Sequence, residues 1–496
     1  MAKCIMVQGT GSTVGKSIMT AGICRVLKQD GYRVAPFKAQ NMALNSYVTK
    51  DGKEMSRSQV VQSEAAMIEP MIEMNPILLK PTSEMGSQVI LNGKVYGNIS
   101  AYKYHNVKSI FRQSIKEAYD KLSRQFDVIV IEGAGSPAEI NLKKDDLANM
   151  GIAELVDAPV VLVGDIDKGG VFASIYGTVM LLEDSERERI KGYIINKFRG
   201  NLDILKPGIE MFRQKMDVPC LGVVPFKQLN IDEEDSVTTR FEVAKRAGIN
   251  IGVIRLPYMS NFTDFTVFDM EQEVSVQYIT SPDDCSELDI LVIPGSKNTI
   301  KDMVYLHESG MAKAIYKEHK EGIPIIGICG GYQILGQELT DPKGIESSLN
   351  QTNGLGLLDI RTTIHEHKMT TQISGTLQCH LPFVPDLNEF TVTGYEIHMG
   401  DSEIINGTTR PAVILEDGRL GGAVNKDGMV FGTYLHGIFD NDHFRNALLN
   451  HIRKTKGLKQ LEKVTYKEYK EEQYNQLAQL VRNNLDFNHI KRIIGL

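Results

Sequence analysis

Two short stretches of this chain hold residue types at spacings that serve chemistry. The first is Gln8-Gly9-Thr10-Gly11-Ser12-Thr13-Val14-Gly15-Lys16-Ser17, which follows the apolar run Cys4-Ile-Met-Val7 and opens a helix-like segment. A glycine-rich turn between strand and helix aims several backbone N–H groups at phosphate oxygens, while a lysine reaches the terminal phosphates and a hydroxyl ligates magnesium. Thr10, Gly11, Ser12, Thr13, Val14, Gly15, Lys16 and Ser17 are therefore the expected ATP cradle, with Lys16 and Ser17 in the last two roles. The strict G-x-x-x-x-G-K-S/T pattern fails at Thr10, which has Gly9 and Gly11 on either side. Further along, Ile129-Val-Ile-Glu132 ends a buried-type run in a carboxylate, the place for a second Mg2+ ligand. Ile194-Ile-Asn196 ends another in an amide able to read an adenine ring. Asp146, Asp165 and Asp167 add carboxylates that would orient an acceptor or magnesium, although turn formation and loop solvation explain any one of them equally well.

The second stretch is Pro324-Ile-Ile-Gly327-Ile-Cys329-Gly330-Gly331, an apolar run that stops at a thiol among glycines. A sharp strand-to-helix turn presents a nucleophile in this way, and the adjoining helix N-terminus favours thiolate over thiol. Most cysteines are small core residues, but the small neighbours here are those that a strained elbow needs. Backbone N–H groups at Gly330 and at Gly295, in Pro294-Gly295-Ser296, are candidates for an oxyanion hole. A thiolate attack also needs a base that later protonates the leaving amine. His436, in Val430-Phe-Gly-Thr-Tyr-Leu-His436-Gly437, is that candidate, and His398, in Gly394-Tyr-Glu396-Ile-His398-Met-Gly400, is its rival. An acid two residues beyond His436 would complete a triad, but Ile438 stands there, so the third member stays open and a Cys-His dyad is one outcome.

The elements that must position these residues are legible as a rhythm. Short apolar runs alternate with longer amphipathic ones over residues 1–225, which means a parallel sheet covered on both faces by helices. Ligands then gather at the carboxyl ends of the strands. An acidic stretch, Asn230-Ile-Asp-Glu-Glu-Asp-Ser236, precedes a second alternating set, which places a domain boundary near residues 235 to 248. The expected organisation is an ATP-dependent domain over 1–235, a second α/β domain over 248–445 and a helical appendage over 446–496. Tyr474, Leu477, Leu480, Val481 and Leu485 recur at helical spacing in that appendage, which is expected to dock on the second domain. The polar region from Met42 to Tyr104 reads as a loop-and-helix insert.

At 496 residues the chain exceeds what one core supports, and its net charge of −7 argues against a broad grip on nucleic acid. Six scattered cysteines without a CxxC pair indicate neither a zinc site nor a disulfide framework. No apolar stretch is long enough to span a bilayer, and Met1-Ala-Lys-Cys4 leads into a strand, so a cytoplasmic, membrane-free protein with a small substrate is expected.

Together these segments resemble a glutamine amidotransferase fused to an ATP-dependent amide-forming domain, and in detail the cobyric acid synthase family of the corrinoid pathway. The resemblance spans essentially the whole chain. It is carried by the phosphate loop, Pro36-Phe-Lys-Ala-Gln-Asn-Met-Ala-Leu-Asn-Ser46, Glu132-Gly-Ala-Gly-Ser-Pro-Ala-Glu-Ile-Asn141, Gly164-Asp-Ile-Asp-Lys-Gly-Gly-Val-Phe172 and Tyr395-Glu-Ile-His-Met-Gly400. The Pro36–Ser46 segment separates this family from cobyrinic acid a,c-diamide synthase. The amino-terminal domain is similar to dethiobiotin synthetase, which likewise lacks the first glycine of the phosphate motif.

The resemblance implies a doubly wound, dethiobiotin-synthetase-like P-loop domain, a class I glutamine amidotransferase-like α/β domain and a C-terminal helical tail. It further implies ATP- and glutamine-dependent amidation of the b, d, e and g carboxylates of adenosylcobyrinic acid a,c-diamide to adenosylcobyric acid, through acyl-phosphate activation. A closed ammonia path between the domains is expected, because ammonium is not a nucleophile. Competing expectations are the a,c-diamide synthase, another fusion of the same build such as cytidine triphosphate synthase, and a P-loop switch ATPase whose second domain only binds partners.

Overall fold

The computed structural model describes residues 1–83, 86–143, 146–232, 248–385, 389–461 and 465–496, and no side chain for 82–83 or 100–106. The expected boundary at 235 to 248 lies almost wholly outside these residues. The chain forms two compact units, Met1–Ala43 with Glu54–Glu234 and Lys470–Leu496, and Leu44–Lys53 with Asp235–Tyr469.

The first unit is built on six parallel strands in the order Cys220–Pro225, Ile190–Phe198, Val160–Asp165, Lys3–Gly9, Val128–Glu132, Val34–Phe37. Val128–Glu132 and Val160–Asp165 are buried at every position, as strands covered on both faces must be. The strand order reverses at Lys3–Gly9, so the crevice beyond its carboxyl end is the topological switch point where such sheets bind ligands. The loop entering helix Lys16–Gln29 occupies that position. Apolar side chains of this helix at Met19, Ile23, Val26 and Leu27 follow helical spacing and are fully or nearly fully buried.

Two expectations are corrected here. From Lys470 onward the tail belongs to the first unit, not the second. Tyr474, Leu477, Val481, Leu485, Phe487, Ile490 and Ile494 share a core with Ile5, Val7, Ile23 and Leu27, and Gly22 is small enough to admit Val481. Arg25, on the helix after the phosphate loop, is buried and bonds Asn475 at 2.9 Å and Glu471. Amphipathic spacing fixes which face of a helix is buried but not which core receives it. The Met42–Tyr104 region, expected as loop and helix, holds helix Arg57–Ala65 but also several strands. Gln40–Met42, Ile77–Ser83, Gly86–Leu91 and Lys94–Ser100 form a four-stranded layer, followed by helix Ala101–Gln125. Its strands read as polar because they bury charges in pairs, as Lys80 does with Glu54 at 2.7 Å.

The second unit centres on parallel strands in the order Val274–Ile279, Ile249–Ile254, Ile290–Ile293, Ile325–Ile328, Val430–Thr433. The sheet then continues through antiparallel Leu420–Val424 and Arg410–Leu415 to the long pair Ile360–Leu377 and Phe390–Ile404. Leu44–Lys53 is held in this unit by side chains that bond its backbone. Asn261 meets both the N–H and the carbonyl of Ser46, at 3.1 and 3.2 Å, and Gln372 donates to the Val48 carbonyl at 2.7 Å.

Candidate active site

In the first unit the phosphate loop turns through Thr13 at φ 59° and Gly15 at φ 99°. At Gly15 any Cβ would strike the Asn196 amide at 2.2 Å, so both conformation and space demand glycine. Lys16 is buried, and its Nζ donates to the carbonyls of Gly11 at 2.8 Å and Gly135 at 3.0 Å. Two further ammonium groups converge on the same loop: Lys197 donates to the Thr13 carbonyl at 2.7 Å and Lys168 to the Thr13 hydroxyl at 3.2 Å. Ser17 donates to Glu132 Oε1 at 2.8 Å, which puts two hard oxygens side by side at the end of the loop. Glu132 is itself buried in a web, accepting from Lys38 at 3.0 Å and from Gln62.

Asn196, expected to meet an adenine, donates its amide to the Val14 carbonyl at 2.9 Å and so braces the loop. The three aspartates divide. Asp165 accepts from Lys197 at 3.0 Å, and exposed Asp167 pairs with Arg199 at 3.0 Å, both beside the phosphate loop. Asp146 faces its own backbone, accepting from the N–H groups of Ala148, Asn149 and Gly151 at 2.8 to 2.9 Å, which fixes the entry to helix Met150–Leu155.

In the second unit Cys329 ends strand Ile325–Ile328 and opens helix Gly330–Ile334 with φ 52° and ψ −109°, a conformation that costs a non-glycine residue roughly 1–3 kcal/mol. The surrounding structure holds it there. A Cβ at Gly331 would lie 1.9 Å from the Ile293 carbonyl and one at Gly330 would lie 2.7 Å from the Ser296 N, so neither position admits a side chain. Cys329 donates its own N–H to Thr433 at 2.8 Å. The N–H of Gly330 belongs to the first helical turn, which has no acceptor within the helix.

His436 is near enough to Cys329 to feel the charge of its sulfur, while the thiol itself meets the Ile397 carbonyl at 3.6 Å. The His436 Nδ1 lies 2.7 Å from Asp264 Oδ2, whose partner Oδ1 accepts from the Gly437 N–H at 3.0 Å. Burial alone would push this imidazole down, but the Asp264 carboxylate with its bond to the ring, and the nearby Cys329 sulfur, raise it to about 10. Tyr395 stacks on the ring at 5.2 Å between centroids, and Gly295 leaves room for its Cε1. The rival, His398, is engaged elsewhere. Its Nδ1 meets the Gly400 carbonyl at 2.7 Å and its ring stacks on Tyr434 at 3.9 Å. The loop that carries Gly295 is pinned from behind by Asp302, which accepts from the Ser296 hydroxyl at 2.5 Å and the Tyr258 N–H at 3.1 Å. Burial raises Asp302 to about 7 against the opposing pull of those two bonds.

The arrangement places a thiol, an imidazole and a carboxylate in the order that a nucleophile, its base and the group orienting that base would take. Asp264 was not found from sequence, because it stands 172 residues before His436. Its one signal is an isolated carboxylate in the apolar run Phe262-Thr-Asp264-Phe-Thr-Val-Phe268.

Residues 5–237 match the CobQ/CobB/MinD/ParA nucleotide binding domain family, and residues 250–444 the CobB/CobQ-like glutamine amidotransferase domain family. The chain is 51% identical to a cobyric acid synthase of Clostridium botulinum (strain Langeland) over 502 aligned positions, covering all of both chains. It is 50% identical to cobyric acid synthases of Clostridium acetobutylicum and Thermoanaerobacter sp. (strain X514), covering 99% or more of each chain. The chain belongs to the cobyric acid synthase family. It is accordingly an ATP-dependent, glutamine-hydrolysing, amide-forming ligase with an α/β P-loop domain and a glutamine amidotransferase domain. No helix among the described residues is long and apolar enough to cross a membrane.

The residues present suit the ligands this family implies. Lys16 is held by two carbonyl oxygens where phosphate oxygens would bind, and the loop glycines keep side chains out of the cradle. For magnesium, Ser17 and Glu132 offer adjacent oxygens of the kind that hard cation takes. Lys38, Lys168 and Lys197 were not singled out in the sequence, although Lys38 and Lys168 lie inside segments that carry the family resemblance and Lys197 directly follows Asn196.

Proposed function

We propose that this enzyme amidates the b, d, e and g carboxylates of adenosylcobyrinic acid a,c-diamide, giving adenosylcobyric acid, with the amide-forming step in the first unit and glutamine hydrolysis in the second. The observation that carries the reading is the Cys329–His436–Asp264 relay, present in the same chain as a lysine-rich phosphate cradle. Cys329 Sγ attacks the side-chain amide carbon of glutamine. Backbone N–H groups of Gly330 and of the Gly295 loop receive the oxyanion. His436, held as imidazolium by Asp264, protonates the departing nitrogen, and the neutral ring left behind activates the water that hydrolyses the thioester to glutamate.

A carboxylate does not react with ammonia at neutral pH. Bound ATP supplies the phosphoryl group that converts it to an acyl phosphate. Lys16, Lys168 and Lys197 hold the negative charge of the phosphates, Lys38 balances Glu132, and Ser17 with Glu132 would hold Mg2+. Asp165 keeps Lys197 at the loop.

The test is mass spectrometry of corrinoid products after incubation with ATP, Mg2+, glutamine and adenosylcobyrinic acid a,c-diamide. Four successive replacements of hydroxyl by amino, each with one glutamate and one ADP released, are expected. An a,c-diamide left unchanged, while unamidated cobyrinic acid gains two amides, would overturn the assignment in favour of the a,c-diamide synthase.

A further inference from the structure

We infer that Gln59 and Gln62 form a receiving site for neutral ammonia beside the phosphoryl end of the nucleotide cradle. This rests on the amide-forming reaction proposed above. The two residues are three apart on helix Arg57–Ala65 and so share a face. Both are fully buried, and each has one amide atom without a hydrogen-bond partner: Nε2 of Gln59, a donor, and Oε1 of Gln62, an acceptor.

Their neighbours dictate which atom is left over. Gln62 lies against Glu132, and an ionised carboxylate only accepts, so Nε2 faces Glu132 and Oε1 points away. Asn41 accepts the Met42 N–H at 2.9 Å with Oδ1, so its Nδ2 must face Ser56 at 2.7 Å, Ser58 at 3.1 Å and Gln59 Oε1 at 3.2 Å. Gln59 is thereby held with its Nε2 outward. Asn41 lies within the Pro36–Ser46 segment that set this family apart in the sequence, and nothing in the phosphate chemistry uses it.

A buried polar atom without a partner costs about 1–3 kcal/mol, so a donor and an acceptor left over together mark a place for a small polar molecule. Neutral ammonia is complementary to both, donating N–H to Gln62 Oε1 and accepting from Gln59 Nε2–H with its lone pair. Ammonium has no lone pair for Gln59, and Lys38, 3.0 Å from Glu132, adds a repelling charge. The site thus takes the nucleophilic form. When ammonia leaves Gln59 its lone pair forms the C–N bond at the activated acyl carbon. The bond from that carbon to the phosphate oxygen breaks, phosphate departs with the electron pair, and the surplus proton of the new nitrogen passes to phosphate.

Steady-state kinetics with ammonium chloride as nitrogen source test this, with ADP and amide counted separately. Gln59→Leu, which leaves Glu132 untouched, is expected to raise the KM for ammonia about tenfold, as one lost hydrogen bond does. Glutamate release from glutamine and the KM for ATP stay unchanged, and more than one ADP forms per amide as water takes the place of ammonia. Gln62→Leu, which also removes a donor to Glu132, is expected to raise the KM for ammonia and the KM for ATP together, and an ATP-induced rise in melting temperature establishes that each variant is folded. Wild-type KM for ammonia and one ADP per amide in folded Gln59→Leu would overturn the inference, as would a rise in the KM for ATP alone, which assigns the pair to holding Glu132. If the wild-type enzyme forms no amide from ammonium, it is the proposed function that fails.

Discussion

Replacing Asp264 by Asn isolates the part of the glutamine site that sequence did not reveal. The wild-type carboxylate serves two donors, His436 Nδ1 at 2.7 Å and the Gly437 N–H at 3.0 Å. An asparagine has one oxygen. The Gly437 N–H is a fixed donor and retains it, so the new NH2 group faces Nδ1, which must then be an acceptor, and the ring proton moves to Nε2. In that tautomer the imidazole cannot take a proton from Cys329. The charge effect acts in the same direction. The span from the ordinary 6.5 to about 10 is worth roughly 5 kcal/mol in favour of imidazolium, and most of it leaves with the carboxylate while the burial that opposes it remains. Glutamine-dependent glutamate release is therefore expected to fall about 10²- to 10⁴-fold, while ammonium-dependent amidation holds. The pH dependence carries a sign. Imidazolium is the acid that expels ammonia, so wild-type glutamine turnover declines only as pH rises through about 10, and the alkaline limb of the variant moves to 6.5 or below. Glutamate release followed from pH 5.5 to 10.5, with ammonium-driven amidation as the internal control, checks both. Wild-type turnover in the variant, or an alkaline limb that does not move, would refute the relay.

Other perturbations separate the remaining parts. Cys329→Ser is expected to abolish glutamine-dependent amidation and keep activity on high ammonium; loss of both would make the cysteine structural. Lys16→Ala should fail with either nitrogen source, and ammonium-dependent turnover that persists would remove Lys16 from the phosphate site. Leu477→Ala, at a fully buried tail position in the first core, should cost about 2–5 kcal/mol and lower the temperature at which ATP-dependent amidation is lost, with glutaminase less affected. The opposite order would detach the tail from that core. Asp302 is raised to about 7 in the folded protein from 3.8, so its native preference for the neutral form favours folding below 3.8 and is lost as pH rises through 7. Asp302→Asn keeps hydrogen-bonding atoms toward Ser296 and Tyr258 without the charge, and its stability relative to wild type should grow by roughly 3 kcal/mol between pH 5 and pH 8. Urea melts showing no such pH dependence would contradict the burial argument.

Local chemistry explains which of these features were readable in the chain. The phosphate loop and the cysteine elbow depend on residues contiguous in sequence, whose glycines permit one backbone path and whose reactive residue sits at its end. The alternation of apolar runs likewise pointed to the parallel strands at the centre of both sheets, because strands buried on both faces read as near-continuous apolar runs. Where a group is defined by what it meets, sequence was silent. Asp264 lies far along the chain from His436. That Asn196 braces the loop through the Val14 carbonyl was not visible in the chain, and Asp146 spends its oxygens on nearby N–H groups. The tail shows an apolar face but not the core that face enters. The strands after Met42 disguise themselves by burying ion pairs. Covalent neighbourhood thus picked out the candidate nucleophile and the candidate phosphate cradle. Partnership between distant residues, which depends on burial and on hydrogen-bonding atoms left without alternatives, was decided only when the chain folded.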